Sequence, residues 1–253
     1  MFADAHIHLL PGIDNGPCRL WEAEEMLRSI YANGVRAAII TPHFHADSED
    51  LPAFLVRRRM AFSSLFRAVP DIRLNFRFLL SAETEIVPGV SALRLLPELC
   101  IPKTRYLPIT LPLGDGIQPE IMREIANMIQ KRKIYPFVCH LERYITFYKE
   151  KELQKLLSLP GAVFCISATG LYSQETAGLL FRNYQNGKRF LLGSNGHNTR
   201  SRFPVLSHED IPSGLCARVH RILLEETEKI LRRPDEVFRA PRELIRSVFG
   251  AGT

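Results

Sequence analysis

The chain has 253 residues, 46% hydrophobic and 24% charged, and a formal net charge of +6. This is an ordinary globular balance, and the length allows one large buried core in a single domain over residues 1–253. No apolar run reaches the roughly 18 residues of a membrane span, and MFADAHIHLL has no Lys or Arg before its apolar stretch, unlike a signal peptide. A cytoplasmic protein is expected. The basic excess favours anionic partners. Its runs, VRRR (56–59) and LRRP (231–234), are short and read as solvated helix faces, so no nucleic-acid partner is expected. Cysteines 18, 100, 139, 165 and 216 form no C-x-x-C pair and are odd in number, which fits reduced thiols.

Along the chain, β-rich apolar runs at 2–8, 35–40, 72–80, 105–111, 134–139, 162–167 and 189–194 alternate with helical stretches. The helices are expected near 19–33, 52–68, 119–132, 149–158, 173–186, 215–232 and 240–248, with Ser173 as a cap. Seven strands in βα alternation predict an α/β fold with a parallel sheet wrapped by helices. In a barrel of this kind the active site lies at the C-terminal strand ends. Chemistry-capable residues collect there: His6 and His8, then His43, Glu83, His140 and His197.

His6 and His8, two apart on a strand, face the same way. Paired neutral imidazoles suit zinc, manganese or iron. Asp4 shares that face and is a candidate to orient a ring. His45 reads as a surface residue and Cys139 as a buried strand residue. Each histidine alone fits an ordinary hydrogen-bonded side chain; their coincidence at strand ends carries the metal reading. Other schemes fail. A cysteine-phosphatase loop needs Cys and Arg six apart, whereas Cys100 and Arg105 are five apart and Cys139 and Arg143 four. No G-x-S-x-G, Walker loop, dinucleotide fingerprint or H-E-x-x-H occurs.

HIHLLPGIDNGP (6–17), ITPHFH (40–45), SAETEIVP (81–88), CHLERY (139–144) and GSNGHN (193–198) follow one another in this order. Together they resemble the polymerase-and-histidinol-phosphatase (PHP) family. Within it, the chain is most similar to the manganese-dependent protein-tyrosine phosphatases of bacterial capsule and exopolysaccharide loci. The resemblance implies a distorted seven-stranded (β/α)7, TIM-like barrel with three metal ions at its mouth. It also implies hydrolysis of phosphotyrosine on a cognate polysaccharide-export tyrosine autokinase. It assigns His6 and His8 to a first metal, Glu83 as bridge to a second, His140 to the second, and His43 and His197 to a third. Arg143 and Arg202 match arginines near the phosphate.

Three positions depart from the family pattern. Asn15, Thr110 and Asn195 stand where the family usually carries acidic ligands, leaving only Glu83 of four. Divalent ions brought together without anionic ligands cost several kcal/mol in a partly desolvated site. Fewer than three ions are therefore expected, with Mn2+ favoured by the resemblance and Zn2+ or Fe2+ as alternatives, and His6, His8 and Glu83 as the best remaining set. Asp14 or another nearby acid is the alternative source of the missing charge; on a turn its side chain is expected to point away from that of its neighbour Asn15, which favours a weakened site over compensation. Three readings follow: an impaired phosphatase, a pseudophosphatase that binds a phosphorylated partner, or a different PHP phosphoesterase of a small phosphorylated metabolite, against which the full motif order argues.

Overall fold

The computed structural model describes residues 1–114, 116–206 and 211–232; the helix expected at 240–248 lies outside them. Among the described residues nine strands run in chain order: β1 (Phe2–Ile7), β2 (Val35–Ile40), β3 (His43–Phe44), β4 (Arg77–Leu80), β5 (Glu83–Glu85), β6 (Tyr106–Thr110), β7 (Tyr135–Val138), β8 (Val163–Ile166) and β9 (Arg189–Leu192). All pair in parallel. They form a three-stranded sheet, β1-β2-β4, and a six-stranded sheet, β3-β5-β6-β7-β8-β9. The expected α/β architecture with parallel strands is present, divided between two sheets.

Seven α-helices connect or follow the strands: α1 (Leu20–Ala32), α2 (Leu51–Ala68), α3 (Pro119–Asn127), α4 (Leu141–Phe147), α5 (Glu150–Leu157), α6 (Gln174–Gln185) and α7 (Leu215–Arg232). In α1, Ala23, Met26, Leu27 and Ile30 recur at helical spacing and are buried, which fixes the face turned to the sheet. Fully burying each large one contributes about 1.5–3 kcal/mol. Asp50 accepts from the Ala53 N–H at 2.9 Å, and Ser173 accepts from Thr176, so α2 and α6 start on capped turns. Strands β7 and β8 are buried along their whole length, as expected of parallel strands covered on both faces.

Three departures have local causes. The run 72–80 is a strand only over Arg77–Leu80, because Arg73 and Asn75 are held in turns by N–H bonds to Val69 and Ile72. Strands β3 and β5 and helix α4 are too short, at two, three and seven residues, to produce a period. In the VRRR run, Arg58 is not solvated. It is buried and donates to the carbonyls of Ser81 and Glu98 at 2.9 Å, and burial lowers its pKa to about 10.

The breaks between sheets are brief. Thr41 and Pro42 separate β2 from β3, and Ser81 and Ala82 separate β4 from β5. Backbone bonds cross these breaks: Thr41 N–H to Ile7, Ser81 N–H to Ile40 and Glu83 N–H to Pro42. At the other side, Asn195 N–H donates to the His6 carbonyl and His8 N–H to that of Gly196, so the segment after β9 runs beside the end of β1. Gly193 permits this approach: a Cβ there would lie 2.7 Å from the Cβ of His6 and from the Cys165 sulfur.

Candidate metal site

The strand ends bring the expected histidines together. His6 lies in β1 and His8 just beyond it; β3 and β5 pair so that His43 stands opposite Glu83. His140 caps α4 at φ 58° and ψ 45°, and Asn195 has φ 52°. A left-handed conformation is uncommon for non-glycine residues, and such outliers cluster at functional sites.

Glu83 is the centre. Its carboxylate is buried, with Oε2 at 3.3 Å from His6 Nε2, 3.2 Å from His8 Nε2 and 3.4 Å from His43 Nδ1, and Oε1 at 3.1 Å from His140 Nε2. Yet neither oxygen accepts a well-formed hydrogen bond from any described residue. A buried carboxylate left this way is costly. Lone-pair atoms converging without hydrogen-bond geometry are what a cation would satisfy. His6, Glu83 and His140 present ligand atoms within 4.8 Å of one another, as do His8, His43 and His197.

The donor set suits a divalent ion. Burial holds His6 at about 3 and His43 at about 4, so both stay neutral with a lone pair free. His197, also lowered by burial, stacks on His8 at 3.8 Å between ring centroids. His140 runs the other way: burial disfavours its charge, but Glu83 and Glu142 more than offset that and raise its pKa. The same imidazoles, His140 foremost, hold Glu83 well below the usual carboxylate range against its burial.

Supporting contacts orient the rings. Thr41 Oγ1 stands 2.8 Å from His6 Nδ1 while donating to the Ile7 carbonyl, which leaves it to accept the Nδ1 proton and keeps Nε2 bare. Asp14 and its neighbour Asn15 point apart, and it is Asp14 that points in: its Oδ2 lies 2.7 Å from His8 Nδ1 and accepts the His43 N–H at 3.0 Å. The turn closes through Gly16 N–H to Asp14 Oδ1, and this rotates the carboxylate inward and leaves Asn15 exposed. Asp4 orients no ring; it binds the His6 N–H and both the N–H and hydroxyl of Ser194, tying β1 to the segment after β9. Glu142, within the CHLERY motif but unassigned from sequence, is mostly buried and lies 3.9 Å from His140 Nδ1.

Of the neutral replacements, Asn195 places Oδ1 3.1 Å from both His197 Nε2 and Arg202 Nη2. Thr110 lines a cleft of about 300 Å³ with His43, His45, Glu83, Glu85 and Arg143. Arg202 lines a second, of about 320 Å³, with Arg200, Ser167, Thr169 and Glu142. The two expected arginines thus open onto different clefts, yet they sense one another: burial and Arg143 together lower the pKa of Arg202. The set expected as strongest, His6, His8 and Glu83, is regrouped. His140 joins His6 and Glu83, while His8 joins His43 and His197.

The family model for capsular polysaccharide synthesis proteins, CpsB/CapC, matches residues 2–231. The chain belongs to the CpsB/CapC family. It is 25% identical over 266 aligned positions to the tyrosine-protein phosphatase YwqE of Bacillus subtilis, covering 98% of each chain. It is 21% identical to the tyrosine-protein phosphatase CpsB of Streptococcus agalactiae, covering 90% of this chain and 98% of the relative. Its fold matches a solved structure described with YwqE from Bacillus subtilis and CpsB from Streptococcus pneumoniae as unique metal-dependent tyrosine phosphatases. The TM-score is 0.66 at 21% identity, over 91% of this chain and 94% of that one. Among the described residues no helix is long and apolar enough to cross a membrane.

Proposed function

We propose that this CpsB/CapC protein is a metal-dependent protein-tyrosine phosphatase of capsule or exopolysaccharide synthesis, acting in the cytoplasm on a phosphorylated tyrosine autokinase. The observation that carries the reading is Glu83, a buried carboxylate facing four imidazole nitrogens at 3.1–3.4 Å with no well-formed hydrogen bond from any described residue. His6, Glu83 and His140 would hold the first divalent ion, Mn2+ by family likeness, and His8, His43 and His197 a second, weaker one. Such an ion supplies Lewis acidity toward a phosphate ester and toward water. The chain's own residues do the rest. Arg143 and Arg202 hold the phosphoryl oxygens, since guanidinium donors match phosphate geometry. Thr41 and Asp14 fix the tautomers of His6 and His8. In this reading 1–253 is one domain, and the two sheets are parts of one distorted seven-stranded (β/α)7 barrel. The brief breaks after β2 and β4 and the backbone bonds beside β1 support that view.

A second reading, a phosphate-binding pseudophosphatase, has support at Asn195. A neutral amide there meets both His197 and Arg202, so neither the arginine nor the cluster gains the negative charge that a carboxylate at that position would supply. Turnover of a phosphotyrosine peptide with added Mn2+ separates the two. Phosphate release that is abolished by Glu83→Gln supports the phosphatase. Binding of the phosphopeptide without release supports the second reading, and neither binding nor release overturns both.

A further inference from the structure

The His43–Glu83 pair has an outer counterpart. β3 and β5 pair in register with His43 opposite Glu83 and Phe44 opposite Thr84. Side chains two apart on a strand share a face, so His45 and Glu85 repeat the inner pair one step nearer the mouth. The repeat is realised in the side chains. His45 Nδ1 lies 3.3 Å from Glu85 Oε2, and the His43 and His45 rings stack with centroids 5.8 Å apart. All four residues line the cleft of about 300 Å³ that also holds Thr110 and Arg143. Glu85 is the register partner of Thr110 on β6. The cleft therefore carries a carboxylate directly across the sheet from the neutral threonine.

The charges lining the two clefts differ in sign. Among the described residues beside Thr110, two carboxylates, Glu83 and Glu85, face one guanidinium, Arg143. Among those beside Asn195, two guanidiniums, Arg200 and Arg202, face one carboxylate, Glu142. The first cleft attracts a cation and the second an anion. The pair itself is half exposed, 52% for His45 and 40% for Glu85. As a plain ion pair at that exposure it would contribute little to stability. Next to it, Glu83 has both oxygens buried and without a hydrogen bond, and it lines the same cleft. Imidazole plus carboxylate, with room for several waters, is a donor set for a hydrated divalent ion such as Mn2+.

We infer that His45 and Glu85 form an outer divalent-cation site, in which Glu85 delivers from β5 the negative charge that Thr110 does not supply from β6. The inference rests on the proposed inner metal site, and it gives the chain a second carboxylate beyond Glu83. The outer ion is held by two side chains and water, so it binds more weakly than the inner one and exchanges with solvent.

The test is Mn2+ binding to the full chain, followed by electron paramagnetic resonance of free Mn2+ and by elemental analysis after dialysis. The wild type should show a tight step retained through dialysis and weaker binding lost in it, to which the His8, His43 and His197 cluster and the outer site contribute one ion each. Glu85→Gln and His45→Gln should each weaken one of those two weaker ions, and not the other, by at least about tenfold, the lower bound for loss of even a supporting partner. Both should leave the tight step in place. Adding Thr110→Glu to Glu85→Gln should restore the weakened ion. A wild-type chain that takes only the tight ion, or weaker binding unchanged in both variants, overturns the outer site and leaves the inner one standing. A chain that binds no Mn2+ at all overturns the inner-site reading as well.

Discussion

Asp14→Asn is the sharpest probe of how the turn after β1 supports the site. Burial alone would raise the Asp14 carboxyl; its bond to His8, with the His43 and Gly16 N–H groups, holds it at about 2 instead of 3.8. That depression corresponds to about 2 kcal/mol of folding stability at neutral pH. An acid with a lowered pKa contributes stability that is complete above its unfolded value near 4 and is lost as pH falls towards 2. His8 is the same ion pair seen from the other side. Burial opposes its charge, but Asp14 and Glu83 raise its pKa, so its contribution is complete below 6.5 and fades as pH rises through the raised value. The two are not added. In metal-free protein, Asp14→Asn should therefore cost about 2 kcal/mol at pH 5–6 and progressively less below pH 4. The amide also inverts a donor. With Oδ1 kept on Gly16, its NH2 faces His8 Nδ1 and the His43 N–H. The His8 proton then moves to Nε2, the atom 3.2 Å from Glu83. A protonated Nε2 cannot ligate, so metal affinity should drop about 10- to 100-fold. Urea unfolding from pH 3 to 7, with Mn2+ calorimetry at pH 7, measures both effects. A pH-independent stability change, or unaltered Mn2+ affinity, would refute the orienting role of Asp14.

Other changes act on the charge balance and the phosphate. Glu83→Gln should remove the one tightly held ion, read as metal per chain after dialysis, because the three remaining neighbours at Oε2 are all neutral or cationic imidazoles. Arg143→Ala should weaken phosphotyrosine-peptide binding by about 1.5–3 kcal/mol, the range for a hydrogen bond to a charged group. Equal affinity of wild type for phosphorylated and unphosphorylated peptide in calorimetry would remove the basis for the arginine cradle. The triple change Asn15→Asp, Thr110→Glu and Asn195→Asp should raise Mn2+-dependent hydrolysis at least roughly a hundredfold, the scale of restoring one electrostatic stabiliser. A folded, metal-loaded triple variant with no gain would place the limit elsewhere than in ligand charge.

The alternation of apolar strand runs with helical stretches was enough to predict a parallel α/β fold, because periodicity and buried-strand composition are local properties of the chain. Strand-end placement likewise marks His6, His8, His43, Glu83, His140 and His197 from the sequence alone. What those residues do to one another was not local. The regrouping into His6, Glu83 and His140 beside His8, His43 and His197 depends on how far each strand runs past its last ladder bond, and β3 and β5 are too short to leave a period in the sequence. That Asp14 rather than Asn15 turns inward was not legible, because a turn's side-chain direction is set by its hydrogen bonds, here to Gly16, His8 and His43, of which two lie outside the turn. Asp4 was misplaced because its partner, Ser194, is 190 residues away. His45 reads from the sequence as a surface residue and Glu85 carries no signal there; the strand pairing of β3 with β5 and the side-chain contact put them side by side. The sequence by itself determined which ligand-capable side chains the protein owns and at which strand ends they sit. Only the tertiary structure decided which lone pairs meet, because inter-strand register and turn geometry are fixed by contacts between segments distant in the chain.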